Sequence, residues 1–210
     1  MTAPHKIRII LIDDHFVVRL GLAGSLNMED DMEVVGECSS GEKGVVLFRE
    51  HQPDITIMDG RLPGMNGMET SRAILAEFPA ARIIMLSAMD AEEDIYAAMQ
   101  SGICAYLPKA VEREELVAGI REVHAGGRYF PKAIIALVSA RQTHEELTGR
   151  EREVLHLIVL GRSNKEIGME LGIAAATVKL HVGNLLEKLG ALDRLQAATI
   201  AIKRGLVHLS

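Results

Sequence analysis

Two different hydrophobic periodicities divide the chain. From residue 7 to about residue 125, short apolar runs rich in β-branched residues alternate with amphipathic segments of helical spacing. The alternation predicts an α/β domain with a parallel sheet covered by helices on both faces. The predicted strands are 7–12, 32–37, 54–58, 82–87 and 104–107, and the predicted helices are 16–27, 42–51, 67–77, 91–101 and 112–125.

After Gly126-Gly127 the pattern is entirely helical. One helix is expected over 131–141, followed by a polar stretch at 142–146. Short breaks containing glycine separate the later helices, which is typical of a helix-turn-helix module. These helices are predicted at 149–160, 164–171, 175–189 and 194–204. The chain therefore reads as a first domain over 1–125, a linker with one helix over 126–146, and a small all-α domain over 147–210.

The amino-acid composition indicates where in the cell the protein is expected. The 210 residues are 48% hydrophobic and 25% charged, which suits a globular protein. No apolar run approaches the ~20 residues needed to span a bilayer, and residues 1–6 do not resemble a signal peptide. We therefore expect a cytoplasmic protein without a membrane partner. Cys38 and Cys104 lack metal-type spacing and are expected to be buried free thiols.

The charge is unevenly distributed. The net charge is −6, but residues 1–146 carry −9 whereas residues 147–210 carry +3. A basic half beside an acidic one favours a polyanionic partner for the basic half.

Reactive side chains follow four of the predicted strands. Asp13-Asp14 ends the first strand, Asp59 ends the third, and Ser87 and Lys109 follow the fourth and fifth. The carboxyl ends of parallel strands meet at one edge of a sheet, so these groups should converge. Carboxylates, a hydroxyl and an amine together indicate a metal-assisted phosphoryl-acceptor site, with Asp59 as the acceptor.

A divalent cation would offset the repulsion among the carboxylates, and Mg²⁺ prefers oxygen ligands. Asp14 and Asp59 are the expected direct ligands, and Asp13 would reach the ion directly or through water. The backbone carbonyl of Arg61 would complete the set. Lys109 would neutralise developing phosphoryl charge, and Ser87 could hydrogen-bond a phosphoryl oxygen.

The segment 175–189 has one apolar stripe, which should pack inward. Its opposite face could enter the major groove of double-stranded DNA, where lysine donates to guanine and apolar groups contact thymine methyls. The stripe consists of Val178, Val182, Leu185 and Leu189. The candidate base contacts are Lys179, Leu180, Gly183 and Asn184, and the candidate phosphate contacts are Lys165, Thr177 and Lys188. From charge alone, a small helical protein-interaction module with an ordinary polar face is the favoured interpretation.

These motifs resemble those of a known family. Asp13-Asp14-His15, Met58-Asp59, Ser87-Ala88 and Tyr106-Leu107-Pro108-Lys109 resemble the receiver domain of two-component response regulators over residues 7–125. Leu147-Thr148-Gly149-Arg150-Glu151, Ser163-Asn164-Lys165-Glu166-Ile167 and Thr177-Val178-Lys179-Leu180-His181 resemble the LuxR-type DNA-binding domain over residues 147–207. The whole chain is thus similar to the NarL/FixJ class.

The resemblance implies a flavodoxin-like five-stranded sheet of order 2-1-3-4-5 and phosphorylation of Asp59 by a sensor histidine kinase. It also implies a switch through Ser87 and Tyr106, and a DNA-binding transcriptional regulator rather than an enzyme. A homodimer of the active form and RNA polymerase are further implied partners. Leu195, Ala198 and Ile202 of the last helix are either core or dimer contact.

One departure from the family pattern concerns the segment 175–189. Ala174-Ala175-Ala176 stands where a capping serine is usual, and losing a cap costs ~1 kcal/mol of helix stability. We therefore hypothesise that single-site DNA affinity is weak and that specific binding depends on dimers. Two rival functions remain: a hydrolase that forms an aspartyl phosphate, and a DNA binder whose first domain is only a scaffold.

Overall fold

The computed structural model describes residues 6–88, 92–142 and 145–207. These residues form two compact units, the first containing 6–88 and 97–135, the second containing 92–96, 136–142 and 145–207. The predicted domains and linker also include residues 1–5, 89–91, 143–144 and 208–210, which lie outside the described residues.

The first unit contains a five-stranded parallel sheet of order β2-β1-β3-β4-β5. This arrangement confirms the predicted flavodoxin-like architecture, with β1 and β3 adjacent at the centre. The strands are β1 (Ile7–Ile12), β2 (Met32–Cys38), β3 (Ile55–Asp59), β4 (Ile83–Ser87) and β5 (Ala105–Pro108). Each strand is followed by one helix: α1 (Phe16–Leu26), α2 (Gly41–His51), α3 (Gly67–Glu77), α4 (Glu92–Gln100) and α5 (Arg113–His124). A further helix, α6 (Lys132–Gln142), comes after α5, and the division between the two units falls within α4 and within α6.

The strands form because their apolar runs are covered on both faces. Ile9, Ile12 and Ile55 are inaccessible to solvent, and α5 packs Leu116 and Ile120 against one face of the sheet. Cys38 and Cys104 carry free thiols, but both are only partly buried, which corrects the expectation of buried residues. Cys38 is the last residue of the edge strand β2, and Cys104 immediately precedes the edge strand β5.

Glycine is required where α3 begins beside the acceptor strand. A Cβ on Gly67 would lie 2.1 Å from the backbone carbonyl oxygen of Asp59, and the Gly67 N–H donates to the Gly60 carbonyl. Asn66 caps α3 in a reciprocal capping box with Glu69. The helix is therefore fixed against the end of β3.

The second unit contains α7 (Gly149–Val159), α8 (Asn164–Leu171), α9 (Ala175–Leu189) and α10 (Arg194–Arg204). Capping boxes start α7 and α8, and Gly172 ends α8 in the left-handed conformation, at φ 65°. A Cβ on Gly168 would lie 2.7 Å from the Ile173 carbonyl oxygen, so the α8–α9 turn packs directly on α8.

The core of the second unit confirms the predicted inward face of α9. Val178 and Leu185 are inaccessible, and Val182 and Leu189 are partly buried against them. On α10, Leu195 is 76% exposed and Ile202 is 45% exposed, so neither contributes to this core. In the described ranges, no helix has both the length and the apolar character required to cross a membrane.

Candidate functional site

Asp59 is a buried carboxylate at the carboxyl end of the central strand β3. Its side chain is 2% exposed. The Arg61 N–H donates to Asp59 Oδ1 at 3.1 Å, and Lys109 Nζ donates to Asp59 Oδ2 at 2.7 Å. The acceptor therefore has one oxygen held by its own turn and one held by a cation from the end of β5.

The Lys109 ammonium also forms an ion pair with a second carboxylate. Lys109 Nζ lies 2.8 Å from Asp13 Oδ2, and the Asp13 side chain is 4% exposed. Asp14 is more open, with 35% of its side chain exposed. The cluster therefore contains three carboxylates and one lysine, and it opens to solvent on the Asp14 side.

Burial and charge shift the titration of this cluster. Burial raises the pKa of Asp59, repulsion from Asp13 adds to the rise, and hydrogen bonds from Lys109 and Arg61 only partly oppose it. For Lys109, burial is the largest effect and lowers the pKa, but hydrogen bonds to Asp13 and Asp59 together outweigh it and leave the pKa raised. Lys109 thus stays charged while Asp59 is destabilised as an anion.

The acidic cluster is compatible with a divalent cation. Single ligand atoms from Asp13, Asp14, His15 and Asp59 all lie within 4.8 Å of one another. In an octahedral Mg²⁺ site with bonds of about 2.1 Å, adjacent ligands are about 3 Å apart and opposite ligands about 4 Å apart. The carboxylates of this cluster therefore fit the donor set that the sequence predicted.

Ser87 and Tyr106 lie on the strands beside the acceptor. Ser87 is the last residue of β4 and is fully buried, and its carbonyl accepts the Lys109 N–H at 2.6 Å. Tyr106, in β5, is 2% exposed. Ser87 therefore lies on the strand next to β3, and Tyr106 lies one strand further out, on the Lys109 side of the sheet.

Three residues that contact either the cluster or the loop after β3 were not predicted from the sequence. The His15 ring faces the carboxylates, Arg19 donates from Nη1 to the Asp13 carbonyl at 2.6 Å, and Glu42 Oε1 accepts the Met65 N–H at 2.9 Å. His15 directly follows the paired aspartates, which was an available signal. Arg19 and Glu42 act through packing between separate elements, which sequence spacing does not reveal.

The outer face of α9 is solvent-exposed as predicted. Lys179, Gly183 and Asn184 are exposed, and Leu180 is 69% exposed. A Cβ on Gly183 would contact nothing within 4 Å. Among the candidate phosphate contacts, Lys165 is exposed and Thr177 is partly buried. This surface of α9 is free to approach a ligand.

Lys188 differs from the other candidate phosphate contacts. Its Nζ lies 2.8 Å from Glu151 Oε2 and 3.2 Å from the Glu146 carbonyl oxygen. Glu151 is 3% exposed, and its pKa is lowered because hydrogen bonds from Lys188 and Thr148 outweigh the opposing effect of burial. The Lys188 ammonium is thus engaged in an internal ion pair.

The start of α9 is uncapped by a side chain. Ala174 occupies the N-cap position and makes no capping hydrogen bond, whereas Thr148 and Ser163 cap α7 and α8. The exposed end of α9 therefore carries backbone N–H groups that no capping side chain satisfies.

Comparisons with known proteins bear directly on these two units. Residues 9–121 match the response regulator receiver domain, and residues 145–201 match the bacterial regulatory proteins of the luxR family. The chain is 40% identical over 210 residues to the transcriptional regulatory protein LiaR of Bacillus subtilis, covering 96% of this chain and 100% of that protein. The chain belongs to the LuxR-family response regulators.

Solved structures agree with this membership. The response regulator ChrA of a heme-sensing two-component system is 33% identical, with a TM-score of 0.56 and coverage of 96% of this chain and 99% of that chain. RcsB of Salmonella enterica serovar Typhimurium, solved bound to a promoter, has a TM-score of 0.74 at 22% identity, covering 93% and 98%. The LuxR-family match identifies this response regulator as a DNA-binding transcription regulator, which replaces the interaction-module alternative.

Proposed function

We propose that this response regulator accepts a phosphoryl group on Asp59 from a sensor histidine kinase, and that the phosphate alters dimerisation and binding to double-stranded DNA. The observation that carries the proposal is the Lys109 ammonium, 2.7 Å from Asp59 and 2.8 Å from Asp13. A lysine between two buried carboxylates can stabilise the negative charge of a phosphoryl group that is transferred to one of them. The proposal assigns residues 1–125 and 147–210 to the two domains and places the regulator in the cytoplasm.

The reaction begins at the Asp59 carboxylate. One of its oxygens attacks phosphorus, the P–N bond of the donor phosphohistidine breaks, and its electron pair stays on the imidazole nitrogen. Burial and repulsion from Asp13 raise the pKa of Asp59, which makes its carboxylate a more basic nucleophile than an exposed aspartate. Lys109 remains beside the product and offsets its two or so negative charges.

The acidic cluster would hold Mg²⁺ through Asp13, Asp14 and Asp59, with the Arg61 carbonyl as a further ligand. The ion supplies charge neutralisation for phosphoryl oxygens. Asp14 is the most exposed of these carboxylates, so an ion would enter from its side. The kinase must approach from the same open side.

Ser87 and Tyr106 are proposed to transmit the change. Ser87 lies on the strand next to Asp59, since Asp59 pairs with Leu86. Its hydroxyl would hydrogen-bond the new phosphate. Tyr106 lies on the next strand, where its fully buried ring would change rotamer as β4 moves. Coupling of this kind is typically worth about 1–3 kcal/mol.

At the DNA, Lys179, Leu180, Gly183 and Asn184 would meet base edges, and Lys165 and Thr177 would meet phosphates. Lys188, predicted from the sequence as a phosphate contact, is not expected to bind phosphate because its ammonium is paired with Glu151. Dimerisation would bring two half-sites together, and RNA polymerase is a further partner of the bound dimer.

Each rival function lacks support in the chain. A hydrolase that forms an aspartyl phosphate needs a second aspartate two residues after the nucleophile, and Arg61 stands there. A purely scaffolding first domain would not need a partly buried lysine that binds both Asp59 and Asp13.

Labelling with a small phosphodonor tests the assignment. With Mg²⁺ and acetyl phosphate, the wild-type chain should gain one phosphoryl group by intact-protein mass spectrometry, and Asp59→Asn should gain none. Asp54→Asn, immediately before the start of the same strand, is the matched control and should label like the wild type. Labelling of Asp59→Asn at the wild-type level would refute Asp59 as acceptor.

A further inference from the structure

His15 directs its imidazole ring into the acidic cluster. Its Nδ1 lies 2.8 Å from Asp14 Oδ1, 3.3 Å from Asp13 Oδ1 and 4.0 Å from Asp59 Oδ2. His15 occupies the N-cap position of α1 but makes no capping hydrogen bond. Its side chain therefore serves the carboxylates rather than the helix.

The backbone fixes His15 in this position. The His15 N–H donates to Asp13 Oδ1 at 2.8 Å, and the Asp13 carbonyl is held by Arg19 at 2.6 Å. The ring is 63% exposed, so it forms the solvent side of a cluster whose inner side is Asp13 and Asp59. An ion arriving from solution would meet His15 and Asp14 first.

The distances from His15 match those between ligands of one ion. A separation of 2.8 Å from Asp14 equals that of adjacent ligands, about 3 Å, and 4.0 Å from Asp59 equals that of opposite ligands, about 4 Å. Imidazole nitrogen suits first-row transition metals, whereas Mg²⁺ prefers oxygen. A nitrogen donor beside three carboxylates thus changes which ion the cluster favours.

We propose that His15 is a ligand of this metal site and makes it select divalent transition-metal ions, such as Co²⁺, over Mg²⁺. The inference rests on the proposed metal-assisted acceptor site and adds a ligand to it. The response regulator would then take a transition-metal ion when one is available and Mg²⁺ otherwise.

Calorimetric binding of Co²⁺ and Mg²⁺ to the full chain tests the selectivity. His15→Gln should weaken Co²⁺ binding by about 10- to 100-fold, which is the loss typical when even a residue behind a metal ligand is removed. The same substitution should change Mg²⁺ binding little. His124→Gln, which alters another exposed histidine of the same unit, is the matched control and should leave both affinities unchanged.

Paramagnetic NMR of the Co²⁺-loaded chain gives a readout of ligation itself. Strongly shifted imidazole ring protons should be present in the wild type and in His124→Gln and absent from His15→Gln. Equal Co²⁺-to-Mg²⁺ selectivity in wild type and His15→Gln would overturn the inference while leaving the acceptor proposal standing. Asp14→Asn removes a proposed ligand and shows the signal expected of a chain without the metal site. If the wild type binds Co²⁺ and Mg²⁺ no better than Asp14→Asn, both the His15 inference and the acceptor proposal are wrong.

Discussion

Lys188 Nζ lies 2.8 Å from Glu151 Oε2, joining the last turn of α9 to the first turn of α7. Glu151 also receives the Thr148 N–H at 2.8 Å. One buried carboxylate thus caps α7 and binds the lysine in the last turn of α9. This pair links the orientation of α9 to the start of the DNA-binding unit.

Lys188→Met should destabilise the DNA-binding unit by about 3 kcal/mol, because Glu151 would be left buried without its cation. Urea unfolding followed by circular dichroism measures the loss. Lys165→Met, which changes an exposed lysine, is the control and should leave stability nearly unchanged.

The contribution of the pair to stability should depend on pH, because the pKa of Glu151 is lowered in the folded chain. The stabilisation is present above the ordinary pKa of 4.5 and is lost as the pH falls through the folded pKa. A Lys188→Met penalty that persists undiminished at acidic pH would contradict this pairing.

Asp59→Asn should stabilise the receiver unit at pH 7 by about 1–2 kcal/mol, because it removes a carboxylate that is ionised at a cost. Lys109 keeps Asp13 as a partner at 2.8 Å, so no cation is left unpaired. Thermal unfolding monitored at pH 7 measures the gain.

The pH dependence of that gain follows from the raised pKa of Asp59. Below the ordinary value of 3.8, the carboxyl is protonated in both the folded and the unfolded chain, so the cost is absent. The cost develops as the pH rises through the folded pKa. The advantage of Asp59→Asn should therefore shrink in acid, whereas Asp30→Asn, on the surface, should give no advantage at either pH.

Ala174→Ser should stabilise the DNA-binding unit by about 1 kcal/mol, because serine can accept a backbone N–H at the start of α9. Unfolding of the variant in urea measures the gain, and gel-shift titration measures any accompanying rise in DNA affinity. Ala175→Ser lies one residue inside the helix and serves as the control. An equal gain in both variants would show that capping is not the cause.

Lys179→Ala should weaken binding to a selected operator by about 1–3 kcal/mol and relax the base preference at one position. Lys165→Ala should weaken binding to all sequences alike and reduce the salt slope by about 1, as expected for a phosphate contact. Fluorescence anisotropy on specific and random duplexes at several salt concentrations separates the two. A uniform loss for Lys179→Ala would remove it from the base contacts.

The sequence predicted the fold closely because its apolar runs are strong local signals. Strand β1 and helix α9 have the predicted bounds, and the exposed face of α9 follows from its stripe. The convergence of Asp13, Asp59 and Lys109 was predictable because strand ends meet at one edge of a parallel sheet.

The pairing of Lys188 with Glu151 was not predictable in the same way. The two residues are 37 positions apart, and each alone has the pattern of a surface side chain. Only the packing of α7 against α9 brings them together. The same holds for Glu42, whose hydrogen bond to Met65 joins the first turn of α2 to the loop before α3, and no local periodicity connects the two.

The tight contact between Gly67 and the Asp59 carbonyl means that the acceptor depends on a residue with no functional group. A methyl group at position 67 would displace the acceptor while leaving every charge of the cluster unchanged. A substitution at position 67 can therefore inactivate the acceptor by displacing it, without removing any reactive group. A related chain could keep Asp13, Asp14, Asp59 and Lys109 and still fail to accept a phosphoryl group. Position 67 should therefore be checked, together with the charged residues, when a receiver domain is judged to be active.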